Sequence, residues 1–525
     1  MRTVYIYDST LRDGAQCHGI SFSVEDKLKI VQKLDKLGVN YIEAGNPGSN
    51  PKEIEFFKRV KKLELRSSKI VAFGSTRRFG TNVFEDVNIA SLLKADTDAI
   101  AIFGKAWDFQ VTDILKTTLE ENLNMIFETV KFFKDQGKEL IFDSEHFFDG
   151  YLSNPEYALE TLRAARDGGA DNICLCDTNG GTFPEQIYTI TSKIIKDLGG
   201  SIGIHCHNDT GMAVANSIMA VKAGVDQVQG TFNGIGERCG NANLSTIIPN
   251  LQIKMDCSCI PDDKLEQLTS TARFMSEVAN TKQDDRSPYI GKYAFAHKAG
   301  MHADAVYKNP IAYEHVSPNS VGNERVFLMS EVAGRSAVLG VINQIDNTIT
   351  KDSPQTKQII KKLKEMEYEG YQYEGAEGSL ELLIRKELGK YRTFFGLNEF
   401  KVIANEPAIS DNNSTAVIKI KVGDIVDISG DEGDGPVNAL DRALRKSLEK
   451  FYPEIAGMKL TDYKVRVLDS DKATAAKVRV LIESTDGEEV WTTIGVSTDI
   501  IAASWKALVD SVEYKLNRDS DIFKF

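Results

Sequence analysis

Roughly the first 260 residues repeat one pattern eight times: a short β-branched or apolar run, then a longer stretch with helical apolar spacing. The strand candidates are Thr3–Asp8, Val39–Ala44, Ile70–Ser75, Ala99–Phe103, Glu139–Ser144, Asn172–Asp177, Gly203–His207 and Gln227–Phe232. Between them lie helix candidates at Val24–Leu37, Pro51–Leu65, Ile114–Gln136, Pro155–Asp167, Pro184–Leu198 and Gly211–Lys222. In the first of these, apolar residues fall at 24, 28, 31, 34 and 37. Three of the helices open with proline, which suits the first helical turn. Eight such units in about 250 residues fit a closed (β/α)8 TIM barrel better than an open sheet.

The chemically distinctive residues cluster just after these strands. Arg12 and Asp13 follow the first, Gly45-Asn46-Pro47 the second, Arg77-Arg78 the third, and Lys105 and Trp107 the fourth. Glu145 follows the fifth and Thr178 the sixth; His205 and His207 end the seventh, and a loop from Asn233 follows the eighth. A barrel places its chemistry at this C-terminal rim. Because alternate strand residues share a face, His205 and His207 point together while Cys206 points away. His-x-His on a strand is by itself more often structural than metal-binding. With the Asp13 carboxylate on another strand end, the set reads as a divalent-metal site with open positions.

From about residue 281 the alternation stops. Tyr289–Gly340 is irregular and carries Ala296-His297-Lys298-Ala299-Gly300-Met301-His302-Ala303-Asp304; helical stretches follow at Gln355–Tyr368 and Ser379–Leu388. The last part holds a weak duplication. Ala416–Val422 and Ile425–Ile428, the turn Gly433–Pro436 and helix Val437–Phe451 form one copy. Lys477–Glu483 and Val490–Val496, the turn Ser497–Asp499 and helix Ile500–Leu516 form the other. The expected organisation is a barrel over 1–280, helical linker subdomains over 281–392 and a pseudo-duplicated α+β module over 393–525. The glycine turns either shape the chain only or bind a ligand.

A formal charge of −13 argues against nucleic acid and anionic membranes as partners. No apolar run reaches membrane-spanning length, and the strand pattern at the very start leaves no room for a targeting peptide. Seven scattered cysteines suggest no disulfide framework, Cys174 and Cys176 reading as reduced core thiols; the cytoplasm is the expected compartment.

Three motifs together resemble the family of 2-isopropylmalate, homocitrate and citramalate synthases. They are Asp8-Ser9-Thr10-Leu11-Arg12-Asp13-Gly14-Ala15-Gln16, His205-Cys206-His207-Asn208-Asp209-Thr210-Gly211, and Asn233-Gly234-Ile235-Gly236-Glu237-Arg238-Cys239-Gly240-Asn241-Ala242. The linker and the duplicated tail match as well. Asn46-Pro47-Gly48-Ser49-Asn50-Pro51, Phe73-Gly74-Ser75-Thr76-Arg77-Arg78 and Glu145-His146-Phe147-Phe148-Asp149-Gly150 look like its long-form citramalate branch. That resemblance implies an acyltransferase joining acetyl-CoA to pyruvate in a metal-dependent Claisen condensation that gives (R)-citramalate and CoA. It also implies the first step of a threonine-independent isoleucine route, with isoleucine as inhibitor.

The resemblance assigns roles residue by residue. Asp13, His205, His207 and, from the family, Asn241 would ligate Mn, Mg, Zn or Co; Asn241 could instead only shape its loop. Arg12 would steady the oxyanion on the keto oxygen, or form a structural salt bridge with Glu43 or Glu145. Thr178 would bind the substrate carboxylate, rather than cap the helix at Pro184. Glu145, expected to be buried with a raised pKa, would handle protons or orient a base. His302 would be the general base on acetyl-CoA, with His297 its competitor and Tyr313 its partner. Because these lie outside the barrel, a homodimer exchanging linkers is expected. Gly234, Gly236 and Gly240 would let backbone approach substrate, and Arg77, Arg78, Lys105 and Lys292 would either meet CoA phosphates or be solvated charge. The C-terminal module would bind isoleucine around Gly433, Gly435, Pro436, Thr498 and Asp499.

Other readings keep part of this chemistry. The same condensation on 2-oxoisovalerate or 2-oxoglutarate differs by a few apolar atoms, worth about 1–3 kcal/mol per methylene. A hydroxymethylglutaryl-CoA-type lyase shares the Arg-Asp and His-x-His motifs but lacks the long linker and duplicated tail. A carboxyltransferase would need a biotin-bearing lysine. An amino-acid sensor on an inactive barrel would not need Arg12, Asp13, His205, His207 and His302.

Overall fold

The computed structural model describes residues 2–297, 300–327, 335–405, 413–468 and 476–522. Eight parallel strands close into a barrel: β1 Tyr5–Asp8, β2 Tyr41–Gly45, β3 Lys69–Ser75, β4 Ala99–Lys105, β5 Glu139–Glu145, β6 Asn172–Asp177, β7 Ser201–Cys206 and β8 Gln227–Gly230. Each pairs with its neighbours in chain order, and β1 closes the ring on β8. This is the TIM barrel expected from the eightfold alternation.

Side-chain alternation sorts the barrel residues. On β5, Leu140 and Phe142 pack outward into the helix layer, whereas Ile141 joins Tyr7, Val71, Ala99 and Ala101 in a separate inner cluster. On β7, Ile202, Ile204 and Cys206 join the helix-side core. Asp143, His205 and Gln229 occupy the alternate positions of β5, β7 and β8, a polar layer toward the C-terminal rim.

Helix starts follow local chemistry. Ser23 and Asp26 form a reciprocal capping box for Val24–Leu37, and Asn50 and Asn154 cap helices that begin at Pro51 and Pro155. The expected helix Ile114–Gln136 is in fact split. A π-turn over Gln110–Leu115 ends at left-handed Lys116, and Thr118 caps a new helix, Leu119–Asp135. The stretch Pro51–Leu65 stops at Val60, and helices Val87–Ala95 and Phe147–Ser153 were hidden by their brevity. Among the described residues no helix is long and apolar enough to cross a membrane, and all seven cysteines are free.

The chain divides into two compact units: Met1–Phe295 with Val316–Arg325, and Ala296–His315 with Val326–Phe525. The segment 281–392 is therefore shared between them. In the second unit, two three-stranded antiparallel sheets repeat: β9 Gly396–Ala404, β10 Ser414–Val422 and β11 Ile425–Gly433, then β12 Lys459–Val467, β13 Val478–Thr485 and β14 Val490–Ser497. Helices Pro436–Leu448 and Ile500–Ile522 follow the respective sheets. The duplication is real, but each copy has one strand more than expected. Both added strands carry bulges, at Leu397/Glu399 and Leu460/Asp462, which break the alternation that would have marked them. Helices Arg335–Ile345, Pro354–Tyr368 and Glu377–Glu387 share a core of Ile342, Ile359, Leu363, Leu380 and Ile384 with Ile494 of β14.

Candidate metal centre

β1 ends at Asp8, and Thr10 closes the following turn by donating from its backbone and hydroxyl to the Asp8 carboxylate, at 3.0 and 2.8 Å. This turn presents Asp13 to the end of β7. His205 Nε2 lies 3.4 Å and His207 Nε2 3.7 Å from Asp13 Oδ2, and the two imidazole nitrogens are 3.2 Å apart. All three residues are buried. An ion about 2.1 Å from each donor would give separations of about 3.0–3.4 Å; two of the three fall there, and a small shift of His207 toward Asp13 completes a divalent-cation site.

Unpartnered atoms support that fit. Asp13 Oδ1 and Asn241 Oδ1 are buried acceptors with no donor among the described residues. Asn241 reaches this place because its loop folds back on β7: it bridges His207, its N–H donates to Gly234 O at 3.1 Å, and Asn208 N donates to Gly240 O at 2.9 Å. Gly240 has φ +86°, and a Cβ there would lie 2.0 Å from Gly234 O, so the turn requires glycine. Gly234 and Gly236 pack directly against Asn241 and so help shape its loop.

Electrostatics prepare the site. Burial opposes ionisation of Asp13, but Arg12, His205 and His207 outweigh it and hold the carboxyl well below its usual range. Burial likewise opposes charge on His205, yet the bond to Asp13 raises its pKa. His207 is pushed down to about 3 by burial and by neighbouring His205. Of the two imidazoles, His205 is the one that takes a proton more readily, and a bound metal would compete with that proton. His205 Nδ1 meets Gln229 Oε1 at 3.2 Å, which fixes the proton on Nδ1 when Nε2 ligates. Gln229 Nε2 in turn donates to Asp143 Oδ1 at 2.9 Å; burial and Glu43 raise Asp143 to about 6.

Of the two carboxylates expected as salt-bridge partners, Arg12 meets Glu43 and not Glu145. Its Nε donates to Glu43 Oε2 at 2.7 Å and its Nη1 to Asp13 Oδ2 at 3.1 Å, and the guanidinium lies 3.9 Å over Phe73. Among the described residues its Nη2 edge has no hydrogen-bond partner. Tyr7 donates to Glu43 Oε1 at 2.9 Å, and Ser9 donates to Oε2. Thr178 does not cap a helix: its Oγ1 accepts from His146 N at 2.8 Å, so its own hydrogen remains to be donated. Glu145 departs from expectation, since its side chain is 25% exposed and is neutralised by Lys105.

Lys105 and Arg77 are thereby engaged within the protein. Arg77 donates to Glu121 and Glu128 at 2.8 and 2.6 Å and is buried, which leaves it unsuited to a CoA phosphate. In the second unit, His302 is exposed and stacks on Tyr313 at 4.2 Å, whereas its competitor His297 is buried with Nε2 3.1 Å from Glu314. Asp499 accepts from Ile501 N and Ala502 N, which makes it a helix cap; Gly433, Gly435 and Pro436 lead into the helix at Pro436, and Thr498 precedes Asp499. Gln229 and Asp143 escaped the sequence reading. Their signal was a polar residue at an inward position of an otherwise apolar strand. Asp143, Cys174 and Cys176 also converge, but Asp143 is engaged with Gln229 and burial pushes both thiols up.

A family model described as HMGL-like matches residues 3–275. The homocitrate synthase post-HMGL domain-like model matches 289–370, and the LeuA allosteric (dimerisation) domain matches 374–516. The (R)-citramalate synthase of Aquifex aeolicus is 52% identical across 99% of this chain and 98% of its own length. That of Geobacter sulfurreducens is 50% identical, covering 99% of each chain. The 2-isopropylmalate synthase of Methanocaldococcus jannaschii is 31% identical across 97% of this chain and 94% of its own.

Proposed function

We propose that this chain, which belongs to the HMGL-like family and within it to the (R)-citramalate synthases, condenses acetyl-CoA with pyruvate to give (R)-citramalate and CoA. The observation that carries the reading is the convergence of Asp13, His205 and His207 beside the open edge of Arg12. Those three residues with Asn241 would hold a divalent cation, which when bound polarises the keto group as a Lewis acid.

The protein's own groups do the rest. Arg12 Nη2 would donate to the keto oxygen as charge develops there, and Glu43 and Asp13 keep the guanidinium fixed and ionised. Thr178 donates its hydroxyl hydrogen to the substrate carboxylate. His302, with Tyr313 against its ring, takes the proton from the thioester methyl. Glu145, tethered to Lys105, orients neighbours rather than carrying protons. CoA release measured with pyruvate, 2-oxobutyrate, 2-oxoisovalerate and 2-oxoglutarate tests the assignment. Pyruvate is expected to give the highest kcat/KM; preference for any of the others overturns it.

The same reading makes the protein a dimer regulated by isoleucine. The first sheet of the second unit leaves Ile403, Val417, Val426 and Ile428 exposed on the face away from helix Pro436–Leu448, a surface suited to a second copy. The turns Gly433–Pro436 and Gly495–Asp499 are the proposed effector positions. Isoleucine should lower activity, and substitution of Asp499 should weaken that inhibition.

A further inference from the structure

His146 sits on the barrel rim between groups already given roles, yet none of those roles uses its side chain. It follows Glu145 at the end of β5 and adopts φ +57°, ψ +33°, the left-handed region, although it carries a Cβ. Holding a non-glycine residue there costs about 1 kcal/mol. Its backbone N–H donates to Thr178 Oγ1, a bond that glycine would make without strain. The imidazole is therefore not needed for that bond.

His146 Nδ1 lies 3.1 Å from Asp149 Oδ2, three residues on in helix Phe147–Ser153, and the side chain is 12% exposed. Trp107 packs beside it, with ring centres 5.8 Å apart. Against a carboxylate, Nδ1 carries the hydrogen and Nε2 presents a lone pair. This is the arrangement in which a carboxylate orients an imidazole for proton transfer. Nearby alternatives are occupied: Glu145 is bound by Lys105, and Asp13 is held ionised by Arg12.

We propose that His146, oriented by Asp149, is the acid-base catalyst for hydrolysis of the citramalyl-CoA thioester formed by the condensation. The inference rests on the proposed citramalate synthase reaction. His146 Nε2 takes a proton from water as the water oxygen attacks the thioester carbonyl carbon. The C–S bond then breaks, and His146 returns that proton to sulfur, releasing CoA as the thiol. The new carboxylic acid loses its proton, the other hydrogen of that water, to solvent. Condensation and hydrolysis thereby use different imidazoles, His302 for the methyl proton and His146 for water.

The test separates the two steps. Wild-type enzyme with acetyl-CoA and pyruvate is acid-quenched, and citramalyl-CoA, citramalate and free CoA are quantified by mass; absence of citramalate here rejects the proposed function itself. His146→Asn and His146→Gly both tolerate the left-handed backbone. Each is expected to slow CoA release at least about 100-fold while citramalyl-CoA accumulates. Added imidazole should restore release in His146→Gly. Unchanged release, or parallel loss of condensation and release without imidazole rescue, overturns the proposal.

Discussion

Gln229 decides what His205 can do. Its amide oxygen faces His205 Nδ1 at 3.2 Å and its amide nitrogen faces Asp143 at 2.9 Å, so the imidazole has one tautomer and one orientation. Gln229→Leu should keep the barrel folded and weaken metal binding about 10–100-fold, measured by chelator competition. Unchanged affinity would show that the strand alone positions His205. The raised pKa of His205 sets the pH dependence: a protonated imidazole cannot ligate, so metal affinity should fall as pH is lowered through that value. His207, at about 3, contributes nothing to this fall near neutrality.

Two helices hold the neighbouring strand end in place. Lys27, on Val24–Leu37, donates to Ala44 O at 2.8 Å and to both oxygens of Glu53, on Pro51–Val60, at 2.6 Å, with both side chains buried. The pair braces the irregular register at Glu43/Gly45, from which Glu43 reaches Arg12. Lys27→Met strands the Glu53 charge and should cost about 3–5 kcal/mol in chemical denaturation. Adding Glu53→Leu should recover most of that loss. In the second unit, burial raises Glu513 from 4.5 to about 7, on helix Ile500–Ile522, where it accepts from Phe394 N at 3.3 Å. The folded state holds that proton more tightly than the unfolded chain. Its contribution is therefore full below about 4.5 and is lost as pH rises through about 7, at most about 3 kcal/mol. Glu513→Gln should flatten this pH dependence of stability, read from melting curves between those limits.

At the scale of the whole molecule, the proposed association through the open face of β9–β10–β11 has a direct readout. Val417→Lys with Ile428→Lys places charge on two outward positions without touching the buried residues Ala416, Ile418 and Ile420. Sedimentation should show a shift from dimer to monomer, with the proposed isoleucine inhibition lost and metal binding by the first unit retained. An unchanged mass would place the interface elsewhere.

Periodicity along the chain sufficed for the eight strands, the rim positions of Arg12, Asp13, Thr178, His205 and His207, and the duplicated tail, because alternation of side chains on a strand is a local property. Neighbours in space were another matter. That Arg12 chose Glu43 over Glu145, that Arg77 met Glu121 and Glu128, and that Gln229 joined His205 to Asp143 depended on which strands became adjacent and in what register. The left-handed turn at His146 and the bulged strands β9 and β12 were also hidden, since both break the local pattern. The sequence alone thus determined which residues stand on the rim; only the closed barrel decided which of them touch, because those contacts join strand ends and helices far apart along the chain.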